Sequence, residues 1–170
     1  NPAPDVTQTQ TINKAAQVIT FPAISPVVYG VASFNAGAST TSGLQVSYSS
    51  DNTSVAEVIN GKINIRSAGS SNITASQAGN NNFSPAEDKL INVTVTKAHL
   101  TITADNKSKP YLSANPVLTF TCSGLVYGET VAVLDSPTLL STVASADSPA
   151  GDYVITISGG NDNCYDITYF

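Results

Sequence analysis

Three sets of side chains in this sequence are of types that could do chemistry. Cys122 and Cys164, 42 residues apart, are the only thiols. They could crosslink, lie as two buried free thiols, or lend one nucleophile to the single histidine, His99. Asn161-Asp162-Asn163, with Asp166 close behind, gathers hard oxygens on a loop, the donor type that calcium takes. Six tyrosines (Tyr29, Tyr111, Tyr127, Tyr153, Tyr165 and Tyr169) could offer faces to sugar rings.

Each set has a plainer reading. A Ser-His-Asp or Cys-His couple would need His99 turned into a cleft, but it falls between two β-patterned stretches and reads as a surface or interface residue. Gly159-Gly160 precedes no helix, so it cannot cradle a phosphate as a P-loop does. Asx-rich loops form turns unaided, and calcium sites use several carboxylates, so Asn161, Asp162, Asn163 and Asp166 stand as an outside calcium candidate. There is no Trp to accompany the tyrosines, which weakens the reading of a sugar-stacking platform. Lys14, Lys62, Lys89 and Lys97 read as exposed or terminal, which disfavours a self-formed Lys–Asn isopeptide bond. No cofactor is expected, no ligand-binding residues are marked, and an enzyme is the least favoured class.

The elements that must position these residues are strands. Ser, Thr and Asn supply 55 of the 170 residues, while only 11% are charged. Polar character is thus carried by uncharged side chains, and 41% hydrophobic residues suffice for modest cores. Thr, Val and Ile suit pleated, half-buried surfaces, and Asn, Ser, Gly and Pro mark turns. A net charge of −5 with seven scattered Lys and Arg argues against nucleic acid and against an anionic membrane surface. No apolar run approaches the ~18 residues of a membrane span. The N-terminus lacks the layout of a signal peptide, and with no Met the chain reads as a mature piece or a fragment.

Lys14-Ala15 and Lys97-Ala98 each lead into an apolar-alternating run, 83 residues apart. That offset is the length of one small all-β unit, so the chain reads as two beads. Residues 1–15 are a tail or the end of a preceding bead, 16–97 the first β-sandwich and 98–170 the second. Period-two alternation places strands at 18–21, 27–31, 34–38, 45–49, 56–60, 62–66, 71–77 and 90–96. Further strands follow at 100–104, 109–112, 117–122, 130–134, 138–144, 153–158 and 167–170. Asn60-Gly61 is the strongest hairpin signal, because a type I′ turn needs positive φ at both central residues. Only Lys97-Ala98-His99 joins the beads, too short for a flexible linker, which predicts two separate cores set end to end with restricted bending.

Several words carry a resemblance. Ser42-Gly43-Leu44-Gln45-Val46-Ser47-Tyr48, Val55-Ala56-Glu57-Val58 and Ile73-Thr74-Ala75-Ser76 resemble bacterial immunoglobulin-like repeats of large surface proteins. The second bead resembles the related MBG (YGX-type, mostly bacterial Ig-like) module through Leu100-Thr101-Ile102-Thr103-Ala104-Asp105, Ser123-Gly124-Leu125, Gly128-Glu129-Thr130, Gly151-Asp152-Tyr153 and Tyr165-Asp166-Ile167-Thr168-Tyr169. Two departures stand out: the namesake Tyr-Gly is Tyr111-Leu112 here, and the last strand of such a module would fall after Phe170.

The resemblance implies two tandem Ig-like antiparallel sandwiches, the second lacking its last strand, with strand exchange, edge pairing or disorder near 165–170. It implies a non-catalytic spacer in an extracellular or cell-surface adhesin-like bacterial protein, with neighbouring repeats as its first partners. The alternative is a module whose loops bind a host or environmental glycan or protein. In an Ig-type sandwich Cys122 and Cys164 would face each other, and an exported β-domain usually pairs its two cysteines, so a disulfide is expected over free thiols.

Overall fold

The computed structural model describes residues 7–170; the first six residues of the expected tail lie outside the described residues. The fold is all-β, and among the described residues the only helical element is one 3-10 turn. The first half contributes β1 (Ile19–Thr20), β2 (Val27–Val28), β3 (Phe34–Asn35), β4 (Ser39–Thr40), β5 (Ser47–Ser50), β6 (Ala56–Ile59), β7 (Lys62–Ile65), β8 (Gly69–Ser76) and β9 (Lys89–Thr96). They assemble as a four-stranded sheet, β2-β9-β8-β5, a three-stranded sheet, β3-β7-β6, and the pair β1-β4. The second half contributes β10 (Ala98–Ala104), β11 (Phe120–Ser123), β12 (Ser136–Thr142), β13 (Ile155–Asn161) and β14 (Tyr165–Tyr169). Here the sheets are β11-β10-β14 and β12-β13.

The first half is organised by the long pair β8 and β9, whose apolar residues alternate with Ser, Asn and Thr. Ser71, Ile73 and Ala75 on β8, and Ile91, Val93 and Val95 on β9, all turn inward and are buried. Removing such an aliphatic side chain from water is worth about 1.5–3 kcal/mol, and a one-residue slip would turn the whole set outward, so the register is firmly set. Asn60 (φ 52) and Gly61 (φ 73) close the β6–β7 hairpin with positive φ at both central positions.

Three sequence-predicted strands form differently. Residues 130–134 make a 3-10 turn at Val131–Val133, whose flanking backbone is extended but pairs with no sheet. Residues 109–112 make a turn: Pro110 cannot donate to a ladder, and Leu112 sits at φ 66, which no strand residue other than glycine adopts here. Segment 165–169, where a strand at 167–170 with strand exchange, edge pairing or disorder was expected, is the strand β14, paired in parallel with β10 from Ala98↔Tyr165 to Ile102↔Tyr169.

The two halves repeat one another in detail. Ile19 pairs with Thr40 as Ile102 pairs with Cys122. The Ala15 N–H donates to Asn82 O (2.8 Å) as the Ala98 N–H donates to Cys164 O (2.9 Å). Ala15 bridges Phe83 in parallel as Ala98 bridges Tyr165. Lys97 alone separates β9 from β10, and among the described residues no sheet contains strands of both halves. The buried side chains, however, do not divide there. One hydrophobic cluster runs from Ile63, Ile73 and Val93 through Tyr29 and Ala98 to Leu100, Ile102 and Tyr165. The expectation of two separate cores is corrected on this point: the aromatic rings at the junction are large enough to fill the space between the sheets.

Candidate functional site

Loops from both halves converge on the junction. Tyr29 follows β2 and is anchored by its own N–H, which donates to Thr96 O (2.8 Å) at the end of β9. Its ring meets Tyr127 edge-on at 5.5 Å and Tyr165 edge-on at 5.7 Å, the arrangement in which the positive edge of one ring faces the negative face of the next. The Tyr29 hydroxyl donates to Glu129 Oε1 (2.8 Å), and the Tyr165 hydroxyl donates to Glu129 Oε2. Tyr165 in turn accepts from the Val126 N–H (2.9 Å), while Tyr127 donates to Val31 O (2.9 Å). Tyr29 and Tyr165 are buried. One carboxylate of the second half therefore clamps a phenol from each half.

Close approach of backbone completes the contact. A Cβ on Gly30 (φ 99) would stand 2.6 Å from Val126 Cγ1, so only glycine lets the two loops meet. Lys97 Nζ donates to Asp162 O (2.8 Å), fixing the single linking residue to the loop before β14. Burial, reinforced by the hydrogen bond to Glu129, pushes the Tyr165 phenol up to about 12. The Tyr29 phenol is raised further still, again first by burial and then by Glu129.

Glu129 and Val126 were not singled out from the sequence as functional. A lone carboxylate between Gly128 and Thr130 gives no local signal, because its two partners lie 100 and 36 residues away. His99, which the sequence put in the joint, lies on β10 with an exposed side chain, 3.4 Å from Thr101 Oγ1 through Nε2.

The expected disulfide is not formed: Cys122 and Cys164 are both free. Register explains this. Cys122 on β11 lies opposite Ile102, and Cys164 immediately precedes Tyr165, which lies opposite Ala98. The two cysteines thus sit on either side of β10 and about five residues apart along it, roughly 19 Å by strand rise and spacing, whereas a bridge needs Cα atoms within ~7 Å. Burial raises both thiols above the usual range, and the Cys164 thiol meets the Ala68 backbone of the first half.

Asn161, Asp162, Asn163 and Asp166 occupy the turn into β14 and its start. Asp162 is buried, and its Oδ1 accepts from the Cys164 N–H (2.6 Å) and the Tyr165 N–H (3.0 Å). In the first half Asn80 Oδ1 accepts from the Asn82 and Phe83 N–H groups in the same way (2.8 and 2.9 Å). An uncharged side chain performs the same task at the same place, which is the work of an Asx turn. Asn163 donates its N–H to Asp135 Oδ2 (3.1 Å). Among the described residues no group of three His, Cys, Asp or Glu is placed to hold a metal ion.

The remaining tyrosines divide by place. Tyr48 packs edge-on against Phe21 at 5.8 Å and donates to Ala38 O (3.4 Å). Tyr169 reaches Gly160 O (3.0 Å) from β14. Tyr111 and Tyr153 are exposed and both line an open cleft of about 760 Å³ at the end of the second half, with Leu118, Ile155 and Phe170. No helix of the structure is long and apolar enough to cross a membrane.

Residues 100–170 match the family model of the MBG domain (YGX type). The match covers the second half, as the sequence words indicated; MBG domains are non-catalytic and occur in bacterial surface proteins. Searches of the curated proteins and of the solved structures returned no match.

Proposed function

We propose, from a second half that matches the MBG family and a junction clamped by side chains of both halves, that this chain is a non-catalytic spacer of a bacterial surface or secreted protein. The two halves are read as tandem Ig-like sandwiches whose lengths add because the joint does not bend. The observation that carries this reading is the Glu129 carboxylate shared by Tyr29 and Tyr165. A flexible tether would leave its linker solvated; here the link is one residue, and the aromatic rings beside it are buried. The uncharged Ser, Thr and Asn surface keeps such a rod hydrated with few charges. Small-angle X-ray scattering tests the reading. One rigid shape should account for the data, and disrupting the clamp by Glu129→Ala should broaden the distance distribution. A wild-type curve that fits only an ensemble of widely different bend angles would overturn it.

A second reading, binding of a glycan or protein, is favoured by one observation: Tyr111 and Tyr153 stand exposed on the same cleft. Screening the chain against a glycan array separates the two, because a spacer returns no selective hits.

A further inference from the structure

The hydrogen bonds that close the first half lie beside its neighbour. The chain enters this half at Ala15, which bridges Phe83 in parallel, and leaves it at the end of β9 through Lys97. The entering and leaving segments run side by side: β2 pairs with β9 in parallel, Val27↔Val95 and Val28↔Thr96. Thr96 finishes that seam. Its hydroxyl donates to Val27 O (3.2 Å), and its carbonyl accepts from the Tyr29 N–H (2.8 Å).

Parallel geometry decides how such a seam answers a pull along the chain. Tension draws β2 back toward its start and β9 forward toward its end, so the two strands tend to slide past each other. Their hydrogen bonds run across the strands and are strained together. The antiparallel pair β8 and β9 offers the contrast. Drawing Ser70 and Thr94 apart crosswise opens that ladder pair by pair from its end at Gly69↔Val95.

Tyr29 belongs to both the seam and the clamp. Its backbone holds Thr96, its hydroxyl holds Glu129 (2.8 Å), and its ring meets Tyr127 and Tyr165 edge-on. Gly30, the next residue, lies against Val126. Tension therefore has two routes across the joint: the main chain at Lys97, and the side chains from Tyr29 to Glu129 and Tyr165. Pulled forward by Tyr29, β2 moves with β9 rather than past it. The seam is relieved for as long as the clamp lasts.

We infer, on the premise of the unbending joint proposed above, that the first half resists tension along the chain and that Glu129 of the second half sets the strength of that resistance. Glu129 is a positioning residue for β2, acting on the first half from outside it.

Single-molecule force spectroscopy of the 170-residue chain tests this, with handles on exposed side chains outside the clamp. Handles at Lys14 and His99 pull lengthwise; handles at Ser70 and Thr94 pull across β8 and β9. Lengthwise unfolding of the first half is recognised by the release of roughly 30 nm of chain, residues 14 to 99 at ~3.5 Å each. The expected rupture force is at least twice as high lengthwise as crosswise. Tyr29→Phe and Glu129→Ala, each shown folded by circular dichroism, remove a hydrogen bond to a charged group. They should speed lengthwise unfolding at fixed force roughly tenfold and leave the crosswise pull unchanged. Equal forces in the two directions, or variants that speed both pulls alike, overturn the inference; if scattering still fits one rigid shape, the spacer reading stands without it. Scattering that fits only a bending ensemble overturns both.

Discussion

Removing the shared carboxylate should separate the two halves energetically. In Glu129→Ala, the hydroxyls of Tyr29 and Tyr165 lose their common acceptor while their rings stay buried. A hydrogen bond to a charged group is worth about 1.5–3 kcal/mol net, so two such bonds set a ceiling near 6 kcal/mol. Glu129 is only half-buried, so water can reach part of the site. We therefore expect a loss of about 2–4 kcal/mol. The cross-junction share is isolated by a double-mutant cycle of Tyr29→Phe with Glu129→Ala, because these residues lie in different halves. We expect a coupling of about 1–2 kcal/mol, read from urea unfolding followed by circular dichroism and by tyrosine fluorescence, which no Trp obscures. The wild type should unfold in one transition, and Glu129→Ala should pull the far-UV and tyrosine signals apart. Additivity of the two single variants within about 0.3–0.5 kcal/mol would refute the clamp, whatever the size of either effect alone.

Four more outcomes follow from the same geometry. The raised phenols of Tyr29 and Tyr165 stabilise the fold fully below the unfolded-chain value near 10, and that stability is lost as pH rises through their folded values, about 12 for Tyr165; absorbance at 295 nm should show two of the seven tyrosines ionising late, and a melting temperature flat across pH 10–12 would contradict the sign. Gly30→Ala puts a methyl group into Val126 at a positive φ; it should destabilise by at least about 1–2 kcal/mol and loosen the junction, seen as a lower urea midpoint. Leu112→Gly relieves a left-handed residue that is 67% exposed; allowing for the extra freedom of glycine in the unfolded chain, the gain is about 0.5–1 kcal/mol, visible as a melting temperature a few degrees higher. Thiol titration in denaturant without reductant should find both Cys122 and Cys164 free, and a chain that yields thiols only after reduction would mean that the register of β10, β11 and β14 differs from the one described.

Several features were readable from local chemistry. The period-two alternation at 71–77 and 90–96 became β8 and β9, with ends shifted by one or two residues, because half-buried strands must alternate. Asn60-Gly61 named its turn, since few other pairs accept positive φ twice. Leu112 shows the opposite case: the sequence departs from glycine, yet the chain keeps the left-handed conformation there (φ 66), so context outweighed the preference of the residue. Residues 130–134 have strand-like composition but no neighbouring strand to bond, and they coil into a 3-10 turn instead.

Alone, then, the sequence determined the all-β class, the positions of most strands, the 83-residue repeat and the MBG-type character of residues 100–170, because all of these rest on spacing between near neighbours. Only the tertiary structure decided which distant groups meet. It placed Tyr29 beside a carboxylate 100 residues away and kept Cys122 and Cys164 on opposite sides of β10. The physical reason is common to both: alternation fixes which face a side chain takes, but register and sheet order, set by packing over the whole chain, fix what lies across from it.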